Sequence, residues 1–196
     1  NHASPEITDA QFDALWDELT QLDPDHEILH QVGPEPLPGT VKVEHRFPMR
    51  SLDKGTTDED IIHFVNQSTS GGVRYLAQPK LDGSALSLEY VAGNLHRAAT
   101  RGSGERGEDV TLNAKMVANI PLRLNLPVDC HVRGEVVMPL DVFETKYKDV
   151  SPNPRNLCSG ALRQKHGDGK AKASDLVFCA YDVKFVSNPP PMLNDS

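Results

Sequence analysis

Leu86, Leu88 and Tyr90 alternate with small or polar residues, Ala92-Gly93-Asn94 interrupts the run, and Leu95–Thr100 returns. Alternation of period two on both sides of a short turn predicts a β-hairpin. The remaining strands and helices are mixed with no βαβ rhythm, so the class expected is α+β with mostly antiparallel sheet. Tyr75–Gln78 reads as a strand leading towards Lys80, and Ser84–Tyr90 as the first arm of the hairpin. Val41–Phe47, Val132–Met138 and Leu176–Val183 read as further strands. Asp58–Gln67 reads as a helix with Ile61, Ile62 and Val65 inward. Val110–Asn119 and Leu140–Tyr147 also read as helices, and Gly71-Gly72 as a turn.

The amino-terminal end is different. Phe12, Leu15, Trp16, Leu19 and Leu22 recur at three- and four-residue steps, which predicts an amphipathic helix over 8–22. Thr8 and Gln11 form a capping box and Pro24 ends the helix. The stretch 33–40 (Gly-Pro-Glu-Pro-Leu-Pro-Gly-Thr) can be neither helix nor central strand. It divides a small helical unit, residues 1–36, from a main unit, 37–196. Charge follows this division. Residues 1–60 hold 14 acidic and 4 basic side chains, net −10, whereas 61–196 hold 14 and 16, net +2. The overall −8 argues weakly against a nucleic-acid partner, but the main unit can still present a basic face, notably with Arg155, Arg163, Lys165, Lys170 and Lys172.

No stretch approaches the roughly 20 apolar residues that span a bilayer. The first apolar run is too short and acidic for a signal peptide. The expectation is a cytoplasmic, monomeric protein, processed or partial because it opens on Asn1. Cys130, Cys158 and Cys179 have no zinc spacing and read as reduced cysteines in or near a core. The proline-rich tail, 188–196, is expected to fray.

The chemistry centres on Lys80, in Gln78-Pro79-Lys80-Leu81-Asp82-Gly83. A lysine with its ordinary pKa near 10.4 is neutral about once in 2,500 molecules at pH 7, a handicap of roughly 4.6 kcal/mol for a nucleophile. Neighbouring cations, desolvation or a metal must reduce it. Pro79 restricts the backbone and Asp82 stands on the same side of an extended strand. Arg101 precedes a glycine loop (Gly102, Gly104, Gly107) that permits close backbone approach but is no dinucleotide fingerprint. Arg133-Gly134-Glu135 opens another strand. There Glu135 could bind a ribose hydroxyl or a metal. Arg155 and Arg163 suit bidentate phosphate recognition. Each feature alone reads first as an ordinary solvated surface.

Taken together the blocks resemble the NAD-dependent, bacterial-type DNA ligases. They include Glu6–Asp13, His45-Arg46-Phe47-Pro48-Met49-Arg50-Ser51-Leu52-Asp53, Lys80-Leu81-Asp82-Gly83, Ala98-Ala99-Thr100-Arg101-Gly102 and Gly107-Glu108-Asp109-Val110-Thr111. Further on come Val132-Arg133-Gly134-Glu135-Val136, Asn153-Pro154-Arg155-Asn156, Gly160-Ala161-Leu162-Arg163-Gln164 and Phe178-Cys179-Ala180-Tyr181. The resemblance implies a nucleotidyltransferase (ligase adenylation) fold, truncated at its carboxyl end. It implies that Lys80 becomes adenylated by NAD, supported by Asp82. Ser51 and Leu52 would contact adenosine, and Gln78 would lie near the adenine amino group. Arg101 and Glu135 would hold ribose and the reacting phosphate, while Tyr181 would stack on adenine. Arg155 and Arg163 would contact nucleotide or DNA backbone. Asp9 would serve the nicotinamide side in the partial helical module. Mg²⁺ and nicked double-stranded DNA follow as cofactor and partner, in replication and repair, with zinc confined to a later region of the family.

The chain departs from the family pattern at two places. Gln78 stands for a usual Glu, and Phe12 for an expected Tyr. The family's two later lysine motifs and its OB-fold, zinc-finger, helix-hairpin-helix and BRCT regions are not in this sequence. Two alternatives therefore stand beside the ligase reading: a ligase-like nucleotide-binding module without sealing activity, and an ATP-dependent adenylating enzyme.

Overall fold

The computed structural model describes residues 9–24, 26, 28, 41–50, 52–68, 74–165 and 169–186. Its centre is a four-stranded antiparallel sheet of order β3-β2-β5-β6, with β2 Ser84–Val91, β3 Asn94–Thr100, β5 Cys130–Val137 and β6 Val177–Phe185. A separate two-stranded ribbon pairs β1, Lys42–Glu44, with β4, Arg106–Glu108. The hairpin expected from the alternation is β2–β3. Ala92 (φ 47°) and Gly93 (φ 75°) are the two central residues of its turn. Positive φ at both positions matches the right-handed twist of the flanking strands.

The two faces of the sheet differ because alternate residues point opposite ways. Leu86, Leu88 and Tyr90 from β2, with Cys130 and Val136 from β5, are buried in the core. A single helical turn, α3 (Thr111–Ala114), and α5 (Pro154–Arg163) contribute Ala114, Leu157, Cys158, Ala161 and Leu162. Between them α4, Leu140–Val142, runs on into a π-helical turn, Phe143–Tyr147, which adds Phe143 and Tyr147. Each large side chain fully buried in this way contributes about 1.5–3 kcal/mol. The opposite face carries Ser87, Glu89, His131, Arg133 and Glu135, by the register of β2 with β5. The segment 45–49 lies over part of that face. Arg133 Nη2 donates to the Phe47 carbonyl at 2.9 Å, and the Phe47 ring meets His131 edge-on at 5.2 Å.

Helix α1, Asp9–Leu22, matches the expected amphipathic helix, although Leu15 and Leu22 are exposed. Thr8 of its capping box, the 33–40 stretch, Gly71-Gly72 and the 188–196 tail lie outside the described residues. Helix α2, Asp58–Ser68, begins where Thr57 and Asp60 exchange hydrogen bonds (Asp60 N to Thr57 Oγ1 3.2 Å; Thr57 N to Asp60 Oδ2 3.0 Å).

Several expectations need correction. Ile61 and Ile62 are exposed, not inward. Residues 75–78 form no strand and run as an exposed irregular stretch, with no strand among the described residues pairing with them. Beyond Thr111–Ala114 the expected helix over 110–119 breaks into turns. Helix α5 went unpredicted, although Asn153-Pro154 is a cap residue followed by proline at the first helical position. Cys130 and Cys158 are buried and Cys179 half-buried, all three unbridged.

Candidate active site

Lys80 and Asp82 sit in the irregular exposed stretch just before β2, not within a strand. Gly83 is what lets that stretch approach the sheet. A Cβ there would lie 2.1 Å from the Val136 carbonyl oxygen and 2.8 Å from Val137 Cγ1. No side chain fits, so only glycine brings the backbone down onto β5. Its N–H then lies near enough to the Glu135 carboxylate to favour the charged form.

Glu135 is the hub of the cluster. It stands half-buried on β5, opposite Ala85 on one side and Cys179 on the other. Burial raises its pKa, while Lys80, the Gly83 N–H, Arg155 and Arg101 pull it down. Three cations from three separate segments therefore act through space on one carboxylate. The rim this creates is positive, and it suits an anion such as a phosphate. Tyr181, at the irregularity in β6, is 49% exposed. Burial raises its phenol pKa, and Glu135 raises it further, against Arg133 and Arg101. Its ring thus borders the same cluster.

Helix α5 brings in Arg155. Asn153 Oδ1 accepts from Arg155 N at 2.8 Å and Asn156 N at 3.4 Å, which fixes the helix start. At the other end Asn113 Nδ2 donates to the carbonyls of Leu162 (2.8 Å) and Gln164 (2.7 Å). Held at both ends, α5 sets Arg155 Nη1 3.1 Å from Asp82 Oδ1. Arg163, on the same helix, is used differently. Its Nε is 2.9 Å from Oε2 of Glu108, whose side chain is only 4% exposed. That contact joins the helix to β4.

Arg101 ends β3 and enters the glycine loop. A Cβ on Gly102 (φ 54°) would fall 2.0 Å from the Arg106 carbonyl oxygen, so this reversal needs glycine. His45 Nε2 sits 3.0 Å from the Thr100 carbonyl and 3.2 Å from that of Arg101.

The structure thus gathers Lys80, Asp82, Arg101, Glu135, Arg155 and Tyr181. Gln78, two residues before Lys80, and Leu52 are exposed. Ser51 and the side chain of Asp9 lie outside the described residues. Among the described residues no group of three His, Cys, Asp or Glu could hold a metal. None of their helices is long and apolar enough to cross a membrane.

A family model described as the NAD-dependent DNA ligase adenylation domain matches residues 39–193. The chain belongs to that family. Among curated relatives, the DNA ligase of Natranaerobius thermophilus is 38% identical over 201 residues, covering 93% of this chain and 30% of the relative. The DNA ligase of Halothermothrix orenii is 40% identical (91% and 29% covered), and that of Brevibacillus brevis 44% identical (82% and 26%). The chain therefore spans under a third of the length of these ligases. Within the adenylation-domain match, sequence reasoning overlooked Asn153, Asn113, Glu108 and His45 as organising residues. The Asn-Pro cap signal could have found the first. The other three are contacts between segments distant in sequence, and no local pattern marks them.

Proposed function

We propose that this chain is the adenylating part of an NAD-dependent DNA ligase and that Lys80 carries the AMP. The convergence of Lys80, Arg101 and Arg155 on Glu135 supports the reading, because a nucleotide phosphate placed there meets its nucleophile and its charge partners together. Lys80 Nζ, once neutral, attacks the phosphorus of the AMP half of NAD. The N–P bond forms, the bond from phosphorus to the leaving phosphate oxygen breaks, and nicotinamide mononucleotide departs. Arg101 and Arg155 offset charge gained on the phosphoryl oxygens. Glu135 holds the ribose hydroxyls, Tyr181 stacks on adenine, and Ser51 and Leu52 contact adenosine. Gln78 meets the adenine amino group, and its amide can still accept that hydrogen bond.

Residues 1–36 form part of the helical module for the nicotinamide half, with Asp9 on that side, and 37–196 the nucleotidyltransferase portion. Asp82 and Glu135 carry the oxygen chemistry that Mg²⁺ prefers, and they do not by themselves make a metal site, so substrate phosphates would hold the ion. The ion would offset phosphate charge when bound. AMP then passes to the 5′-phosphate of a nick in duplex DNA, and the 3′-hydroxyl displaces it, in the cytoplasm. Arg163 serves this reaction as an anchor through Glu108, not as a phosphate ligand.

The test is intact mass after incubation with NAD. The intact protein should gain one AMP, Lys80→Ala should gain none, and ATP should not replace NAD. No gain by the intact wild-type protein would sink the proposal. The 196 residues alone should not seal nicks.

A further inference from the structure

His45 lies far from Lys80 in sequence and in no segment that holds the nucleophile, yet it binds the point where β3 becomes the glycine loop. Its Nε2 is within hydrogen-bond distance of two carbonyl oxygens, Thr100 at 3.0 Å and Arg101 at 3.2 Å. Carbonyls only accept, so Nε2 must carry the proton and Nδ1 is left as the acceptor. The Arg101 carbonyl also receives the Gly104 N–H at 3.0 Å, so both its lone pairs are engaged. The backbone around His45 clasps the same loop. His45 N donates to the Glu105 carbonyl at 2.8 Å, and Met49 N to the Gly104 carbonyl at 2.8 Å. The imidazole is partly buried, and burial with Arg133 and Arg97 nearby disfavours its charged form.

We propose that His45 is a positioning residue, its Nε2–H tying the carbonyls of Thr100 and Arg101 so that the Arg101 guanidinium is held at the Glu135 cluster. The loop turns on glycines at positive φ (Gly102 at 54°, Gly104 at 90°) and closes on itself through Ser103 N to the Arg106 carbonyl and Gly104 N to the Arg101 carbonyl, both 3.0 Å, so a tie at Arg101 fixes where the whole turn sits. The sheet supplies one boundary, through Thr100, and β4, paired with β1, the other. His45 adds a tie at the carbonyl of the very arginine that must be aimed. The segment it begins, 45–49, also leads directly to Ser51 and Leu52. His45 touches no substrate and acts only through Arg101.

This proposal rests on the adenylation reading for its catalytic consequence but not for its contact. In the intact protein, His45→Ala should lower the rate constant for lysyl-AMP formation by about 30–100-fold, the scale set by a misplacement of about 1 Å, with the KM for NAD changed less than about threefold. His45→Gln, whose amide N–H reaches the position of Nε2, should recover to within about fivefold of wild type. His45→Leu should not. Assays run below the melting transition of every variant separate this from simple instability. Equal rate constants for His45→Ala and wild type, or equal failure of Gln and Leu, would overturn the positioning role. Hydrogen exchange at the Gly104 amide tests the contact without any nucleotide: it should quicken in His45→Ala and be restored in His45→Gln. Unchanged exchange overturns the tie. If the wild-type protein forms no lysyl-AMP, the functional reading fails, and the exchange result alone judges the contact.

Discussion

Arg155 and Arg163 stand two turns apart on α5, and from sequence they read alike, as phosphate contacts. In the structure they have different work, and substituting each by Met should separate them. Arg163 faces Glu108 at 2.9 Å, and that carboxylate is almost wholly removed from water at 4% exposure, while the guanidinium remains 39% exposed. A hydrogen bond to a charged group contributes about 1.5–3 kcal/mol. The loss of up to 5 kcal/mol seen for fully buried pairs does not apply, because water reaches the arginine side. For a chain of this size 1 kcal/mol moves the melting temperature by about 2–4 °C, so Arg163→Met should lower it by roughly 3–12 °C. Arg155 pairs with Asp82 at 3.1 Å with both side chains open to solvent, 60% and 74% exposed. Exposed pairs contribute no more than about 1 kcal/mol, so Arg155→Met should cost under about 4 °C. Activity should run the other way. Arg155→Met should lower lysyl-AMP formation by about 100-fold or more, whereas Arg163→Met, assayed below its lowered transition, should retain it within about tenfold. Differential scanning calorimetry and single-turnover adenylation measure the two quantities. An Arg163→Met protein as stable as wild type, or an Arg155→Met protein that adenylates normally, would refute this division of labour.

Other expectations follow from single positions. Gly83→Ala places a methyl 2.1 Å from a carbonyl oxygen, so the backbone must retreat from β5. A loss of about 1–3 kcal/mol in denaturant titration, with lysyl-AMP formation falling to background, is expected. Ala92 adopts φ 47°, which L-residues reach at a cost of about 1–2 kcal/mol. Part of that should be recovered by Ala92→Gly as a rise of a few degrees in melting temperature, with adenylation unchanged. His45 and His131 both have pKa values lowered from 6.5, first by burial and also by Arg133 and Arg97; Arg46 adds to the lowering at His131, which Glu89 opposes. The folded state thus binds fewer protons than the unfolded chain below pH 6.5. Their contribution is present above pH 6.5 and is lost as pH falls through the folded values, with a slope of at most about 1.4 kcal/mol per pH unit for each histidine. A melting temperature that stays flat from pH 7 to pH 5 would contradict this.

The local sequence carried the hairpin, the strand after Lys80, the π-turned helix over 140–147 and the three reduced cysteines. Each depends on near-neighbour periodicity or composition, which a linear reading sees. It also singled out Lys80, Asp82, Arg101, Glu135, Arg155 and Tyr181, which the fold brings into one neighbourhood. Three things were out of its reach. The helix around Arg155 was missed because its charged and polar residues drew the reading towards phosphate contacts, although Leu157, Cys158, Ala161 and Leu162 recur at helical spacing and Asn153-Pro154 announced it. The exposure of Ile61 and Ile62 was hidden because a periodic pattern marks an apolar face without showing what covers it. The roles of His45, Asn113 and Glu108 were hidden because their partners lie 49 to 56 residues away or, for Glu108, on a different element, α5. The sequence by itself determined which groups can do the chemistry, because nucleophile, carboxylate and guanidinium are fixed by residue type. Only the tertiary structure decided which of two similar arginines stands open to solvent beside Asp82 and which braces the fold through Glu108. That choice rests on burial and on distances between segments, and a chain acquires those only when it packs.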